Sequence, residues 1–186
     1  MESTMKLGIE IHQQLDTRKL FCNCPSILRN DRPEFEVRRR LHAVAGESGE
    51  IDVAAKYEAE KEREFIYQGY DSTCLVELDE EPPYELNQEA LKIAIHVALL
   101  LNCDILSITQ IMRKTVVDGS NTSGFQRTVL IARNGFVETG RGKVRIENVS
   151  LEEDAARIIE NRGKEKVFRL DRLGIPLIEI GTYPDI

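Results

Sequence analysis

Ser150-Leu151-Glu152-Glu153-Asp154-Ala155-Ala156-Arg157, taken with Ile175-Pro176-Leu177-Ile178-Glu179-Ile180, is the part of the chain whose reading decides the rest. Three consecutive acids enter an apolar pattern of helical period, formed by Ala155, Ala156, Ile158 and Ile159. Ser150 followed at the third residue by Glu153 fits a capping box, and acids in a first helical turn are favoured by the helix dipole. The same carboxylates also suit metal binding, and spacing alone does not choose between the two. Glu179 is a different case. It interrupts an apolar, strand-like run, where burying a lone carboxylate is costly and no capping role applies. Either it faces outward on an edge strand, or it serves a metal, a cation or a catalytic step.

Upstream, Leu7, Ile9 and Ile11 alternate with Gly8, Glu10 and His12, the period of a half-buried strand. Glu10 and His12 therefore share a face, with backbone room beside Gly8, and are either ligand-facing or solvated. Asn87 is a good N-cap for a helix running to about Leu101, with Leu91, Ala94, Ile95, Ala98 and Leu99 on its apolar face and His96 in a structural place. A strand over Met112 to Val117 leads into Asp118-Gly119-Ser120-Asn121-Thr122-Ser123-Gly124-Phe125-Gln126-Arg127. That loop, with Ser120, Asn121 and the cations Arg113, Lys114 and Arg127, suits phosphate oxygens, although a long polar turn has the same composition. Asn134-Gly135 is the strongest hairpin signal, and further turns fall at Gly140-Arg141-Gly142 and near Asn161-Arg162-Gly163. Residues 47 to 64, rich in Glu, Lys and Ala, are expected to contain a surface helix.

The 186 residues carry 32 acids against 25 bases, a net charge of -7 that opposes general attraction to nucleic acid and confines any RNA contact to local patches. Arg38-Arg39-Arg40 is the most basic run, either a phosphate contact or a solvated charge run. There is no apolar signal region and no stretch long enough to span a membrane, so a cytoplasmic location is expected. Cys22-x-Cys24 and Cys74 suggest a metal or reduced-thiol arrangement rather than a disulfide framework.

Gly8-Ile9-Glu10-Ile11-His12, Leu20-Phe21-Cys22-x-Cys24, Arg113-Lys114, Leu151-Glu152-Glu153-Asp154-Ala155 and Asp171-Arg172-x-Gly174-x-Pro176-Leu177-Ile178-Glu179-Ile180, ending Pro184-Asp185-Ile186, together resemble the B and E subunits of tRNA-dependent amidotransferases. The segment Asp118 to Arg127 is similar to the archaeal E type, which acts on glutamyl-tRNA(Gln). The resemblance covers nearly the whole chain. It implies an α+β fold, a largely antiparallel sheet with flanking helices, in which residues 1–186 form the N-terminal part of a catalytic cradle domain that is incomplete at its C-terminus.

It also implies an ATP-dependent carbon–nitrogen ligase. Glutamate misattached to tRNA(Gln) is phosphorylated and then attacked by ammonia from an asparaginase-like D subunit. The cofactors implied are ATP and Mg2+, with His12, Glu153 and Glu179 as metal ligands and Glu10 and Glu152 as adjacent catalytic acids. Arg113 and Lys114, with Ser120, Asn121 and Arg127 of the polar loop, are the implied nucleotide contacts. Where some B subunits carry a four-cysteine zinc site, the fourth position here is Glu77, so stoichiometric zinc is not expected. A fragment that only docks the ammonia-supplying partner or RNA is the competing class of function; it would not require Glu10, His12, Glu153 and Glu179 together.

Overall fold

The computed structural model describes residues 5–40, 45, 49–51, 53–61 and 63–185. Part of the helix expected over residues 47–64, and Ile186 of the final motif, lie outside these. The strands are β1 (Glu10–Gln14), β2 (Phe35–Arg40), β3 (Glu64–Gly69), β4 (Asp104–Ile105), β5 (Ile111–Thr115), β6 (Phe125–Thr139), β7 (Gly142–Glu153), β8 (Arg157–Arg162), β9 (Glu165–Arg169) and β10 (Pro176–Thr182). The helices are α1 (Val53–Glu60) and α2 (Gln88–Leu100). The α+β expectation holds, with two sheets rather than one.

The larger sheet runs β1-β10-β7-β6-β4, with β5 also on β6, and every pairing in it is antiparallel. The smaller one runs β2-β3-β9-β8 and includes one parallel pair, β3 with β9. Each sheet has its own core. Val129, Val149, Leu151 and Ile178 of the larger sheet pack with α2, Leu20 and Phe21. Phe65, Tyr67, Phe168 and Leu170 form the second core, where Phe168 stacks on both aromatic neighbours.

Helix α2 starts where the sequence places it, with the Asn87 side chain accepting from the backbone N–H groups of Glu89 and Ala90. Its buried face is narrower than expected. Only Ala90, Ala94 and Ala98 are fully buried, one turn apart, while Leu91 and Ile95 flank them and Leu99 is exposed. A ridge of methyl groups lets the helix lie close on the sheet. Because α2 sits over β4, β6 and β7, it does not reach β1 at the far edge. Leu7, Ile9 and Ile11 are consequently exposed rather than buried.

Asn134-Gly135 does not turn the chain. β6 continues to Thr139 and the hairpin closes beyond it, with Thr139 opposite Gly142. The glycine is needed for a close approach instead: a Cβ on Gly135 would stand 2.2 Å from Cys103 Sγ and 2.5 Å from the Leu101 carbonyl. That carbonyl, at the end of α2, accepts from Phe136 N–H at 2.7 Å.

The acidic stretch belongs to no helix. Its first half ends β7, and Asp154-Ala155-Ala156 then carries the chain from the larger sheet to β8 of the smaller. Asp154 exchanges backbone hydrogen bonds with Ile175 and Gly174, and Ala156 N–H reaches the Ser120 carbonyl, so the crossing is pinned on both sides.

Overfilling the alanine ridge tests this packing. Ala94→Leu is expected to destabilise the chain by about 1–3 kcal/mol, read as a lower urea midpoint, whereas Leu99→Ala at the exposed position stays within about 0.5 kcal/mol of wild type.

Candidate functional site

His12 lies directly opposite Glu179 in the β1–β10 register, so both side chains leave the same face of the sheet. His12 Nε2 comes within 3.4 Å of the Glu179 carboxylate. On the other side of β10, Glu152 of β7 lies opposite Leu177 and points to that same face. One ligand atom each from His12, Glu152 and Glu179 falls within 4.8 Å of the others, a cup of one imidazole and two carboxylates.

Glu152 and Glu153 are consecutive on a strand and must point to opposite faces. Of the two, the structure brings Glu152 and not Glu153, the expected ligand, together with His12 and Glu179. Both acids are buried, 3% and 4% exposed, in unlike surroundings. Glu152 Oε1 accepts from the Thr128 hydroxyl at 2.9 Å and Oε2 from the Gln126 amide at 3.3 Å, both neutral donors. Glu153 accepts from the Arg127 backbone N–H at 3.0 Å, and the Arg127 guanidinium reaches both of its oxygens at 3.1 Å while lying over the rings of Phe21 and Phe125. Burial pushes both carboxyls above the ordinary glutamate value. For Glu152 the Thr128 hydroxyl pulls back and the nearby Glu179 adds to the rise; for Glu153 the pull comes from Arg127.

The remaining expected residues divide between the two faces. Glu10 lies two residues before His12, opposite Gly181, exposed and outside the group of three ligand atoms. Lys114 stands opposite Gln126 and shares the face of Glu152, whose ionised form its charge favours. Arg113, one residue earlier, turns to the other face and lies over the Phe125 ring at 5.3 Å, so the two cations do not meet one ligand group together.

Nor does the structure bring Ser120, Asn121 and Arg127 to the cup. Arg127 is committed to Glu153. Ser120 is folded onto Asp118 through its amide at 2.9 Å and its hydroxyl at 2.6 Å. Asn121 is buried and lines, with Lys19, Cys22, Arg127 and Glu153, a cavity on the Glu153 side of β7. The loop packs against the second core: Gly119 presses on the Phe65 ring and accepts from the Tyr67 hydroxyl at 2.8 Å. In the run Arg38-Arg39-Arg40, Arg38 is occupied by Glu64 and Glu165, and Arg39 by Glu80 and the Leu78 carbonyl.

Sequence reasoning missed Thr128, Gln126 and Lys19. The first two alternate with Arg127 and Val129, a period-two signal that pairing with a strand at 150–153 makes legible. Lys19 carries no signal at all, yet its ammonium is fully buried, donating to the Leu170 carbonyl at 3.1 Å and lying 3.5 Å from Glu77.

Glu77 belongs to a second cluster. One ligand atom each of Cys22, Cys24, Cys74 and Glu77 lies within 4.8 Å of the others. The carboxylate is engaged by the Cys22 thiol at 2.7 Å, by Cys74 N–H at 2.7 Å and by Lys19. Burial, with the charge of Glu77 next, pushes the Cys22 thiol up and that of Cys24 to about 12, so without a metal these sulfurs hold their protons.

Comparison with known proteins places the chain. Residues 5–186 match the family described as the GatB/GatE catalytic domain. Among curated proteins, the E subunit of the glutamyl-tRNA(Gln) amidotransferase of Methanocaldococcus jannaschii is 60% identical over 184 residues, covering 98% of this chain and 29% of that protein. The corresponding E subunits of Thermoplasma volcanium and Archaeoglobus fulgidus are 56% and 55% identical, over 98% of this chain and 30% of each. The chain thus spans about three tenths of the length of the curated relatives it matches. No helix among the described residues is long and apolar enough to cross a membrane.

Two measurements follow from the geometry. Arg127→Met leaves Glu153 buried and unpaired, with an expected cost of about 3–5 kcal/mol near neutral pH. Because folding already holds the Glu153 carboxyl above its ordinary value and the mutation removes the pull-down, the deficit is least in acid, below the unfolded value of about 4.3, and grows as pH rises through the folded value. Denaturation of Arg127→Met and Arg127→Met/Glu153→Gln across that range reads it, and a pH-independent deficit contradicts the pairing. The chain purified without added metal is expected to carry well under one zinc by elemental analysis, and Glu77→Cys to raise the content to about one. A full zinc in the wild type overturns that expectation.

Proposed function

This chain belongs to the GatB/GatE catalytic-domain family, and on that footing we propose that it supplies the phosphate-handling part of a tRNA-dependent amidotransferase. The reaction is the conversion of glutamyl-tRNA(Gln) to glutaminyl-tRNA(Gln). A γ-carboxylate oxygen of the attached glutamate takes the terminal phosphoryl group of ATP and ADP leaves. Ammonia then adds to the acyl carbon, phosphate departs, and the nitrogen loses a proton to give the amide. An asparaginase-like D subunit is the proposed ammonia source and charged tRNA(Gln) the proposed macromolecular substrate.

The observation that carries the reading is the convergence of His12, Glu152 and Glu179 on one face, from three neighbouring strands and three distant parts of the sequence. Two carboxylates gathered beside an imidazole repel one another unless a cation joins them, and the donor set suits a hard ion such as Mg2+ or Mn2+. When bound, that ion supplies positive charge to the phosphate oxygens.

The chain's own residues do the rest. Glu152 and Glu179 place two carboxyl groups at the floor of the cup, and His12 contributes a nitrogen at its rim. Lys114, on the same face, lends an ammonium to the anionic phosphates, which suits a transfer that depends on positioning and electrostatics. Glu153, neutralised by Arg127, takes no part at the cup and holds the strand from behind.

In the assembled amidotransferase, Glu152→Gln and Glu179→Ala are expected to lose ATP-dependent phosphorylation of glutamyl-tRNA(Gln) by more than the roughly 10–100-fold that removing a supporting hydrogen bond from a metal ligand costs. Release of ammonia from the amide donor by the partner continues. Near-normal amidation by either variant would rule out the assignment.

A further inference from the structure

Three features single out the two groups that hold Glu152. Thr128 lies directly opposite Glu152 in the β6–β7 register, so its hydroxyl is delivered to Oε1 by the ladder itself. Its branched Cβ leaves few rotamers in which that hydroxyl can wander. Gln126, two residues along the same face, spans the gap with one amide nitrogen that donates to Glu152 Oε2 at 3.3 Å and to the Glu153 carbonyl at 2.8 Å. Both partners are acceptors, so the NH2 end must face them, and the orientation of the amide is settled by its neighbours.

The second feature is charge. A cation partner, such as Arg127 gives Glu153, would cancel the charge that a bound metal needs. Neutral donors fix a carboxylate while leaving its charge in place. The third is capacity: each carboxylate oxygen has two acceptor directions. The β6 donors take one on each oxygen, which leaves each with a second acceptor direction, and one of these oxygens lies within 4.8 Å of ligand atoms of both Glu179 and His12.

We infer that Thr128 and Gln126 are positioning residues that hold the Glu152 carboxylate in the orientation required by a divalent cation shared with His12 and Glu179. The inference rests on the cation-site reading of those three residues. It concerns the support of the site rather than its ligands.

The test is Mn2+ binding by the purified chain, followed through the electron paramagnetic resonance signal of free Mn2+. Thr128→Val keeps the shape and removes the hydroxyl; it is expected to weaken Mn2+ binding by about 10–100-fold, the range typical of lost support to a metal ligand, with Thr128→Ser returning to within a few-fold of wild type. Gln126→Leu is expected to weaken binding in the same direction, and it stands in should Thr128→Val fail to fold. Metal-free thermal unfolding separates the effect from lost stability. The inference is overturned if Thr128→Val and Gln126→Leu bind Mn2+ like the wild type while Glu152→Gln loses it. If instead the wild type fails to bind, or Glu152→Gln binds normally, the cation-site reading itself fails and takes the inference with it.

Discussion

Everything at the site follows from one constraint: neighbouring residues on a strand face opposite ways. Glu152 and Glu153 share a backbone, a chemistry and nearly the same burial, yet the pleat sends one to the cup and the other to the seam between two cores. Each environment then settles the fate of its charge. Arg127 alternates with Gln126 and Thr128 in the same way on the next strand, so the guanidinium meets Glu153 while the amide and hydroxyl meet Glu152. A register slip of one residue would exchange the two sets and leave Arg127 in the cup. The hydrophobic alternation of Val129 and Leu151 against α2 forbids that slip, so the core specifies which glutamate keeps its charge available.

The seam behind β7 concentrates buried charges that lie outside the cup. Glu153 with Arg127, Glu77 with Lys19, and Asp171 with Arg157 all lie near where the larger and smaller sheets meet. Such pairs contribute little net stability over apolar residues of the same volume, but removing either partner is expensive. Their better-founded role here is geometric. Asp171 accepts from Arg29 N–H at 2.8 Å and Arg157 at 2.7 Å, and Arg172 donates to the carbonyls of Ala155 and Ala156, so the crossing at 154–156 is tied to the turn at 171–175. That turn leads directly into the strand carrying Glu179. The two acids of the cup are therefore positioned by segments that are also bonded to each other across the seam.

How far this was legible in the sequence depends on what each pattern encodes. The period of α2 and its Asn87 cap are local, and they read correctly; the strand carrying Glu10 and His12 shows in its alternation, and the strand carrying Glu179 in its apolar run. The acidic stretch misled because Ala155 and Ala156, which suit a helix, here lie in a crossing pinned by backbone hydrogen bonds from Asp154 and Ala156. A helical reading of 150–153 carries no strand parity, so spacing could not show that Glu152 and Glu153 face opposite ways, and the ligand set with Glu153 came from the resemblance alone. Asn134-Gly135 misled for a related reason: the glycine answers a tertiary need, the approach of Leu101 and Cys103, rather than a local turn. The exposure of Ile9 and Ile11 depends on where α2 lies across the sheet, which no local pattern contains.

The three groups of the cup are held with graded firmness, and the gradient runs across the sheet. Glu152 lies in an inner strand with donors on both oxygens; the Glu179 side chain, on the next strand out, is 17% exposed; that of His12, on the edge strand, is 44% exposed. β1 is fixed by its hydrogen bonds to β10 and gains little from burial, because its apolar residues are outside the reach of α2. An edge strand of this kind opens more readily than the strands inside it. In the proposed reading, the firm carboxylate sets where a cation would sit, and the imidazole is the most exposed of the three groups. Movement of His12 would therefore disturb the core least, and movement of Glu152 most.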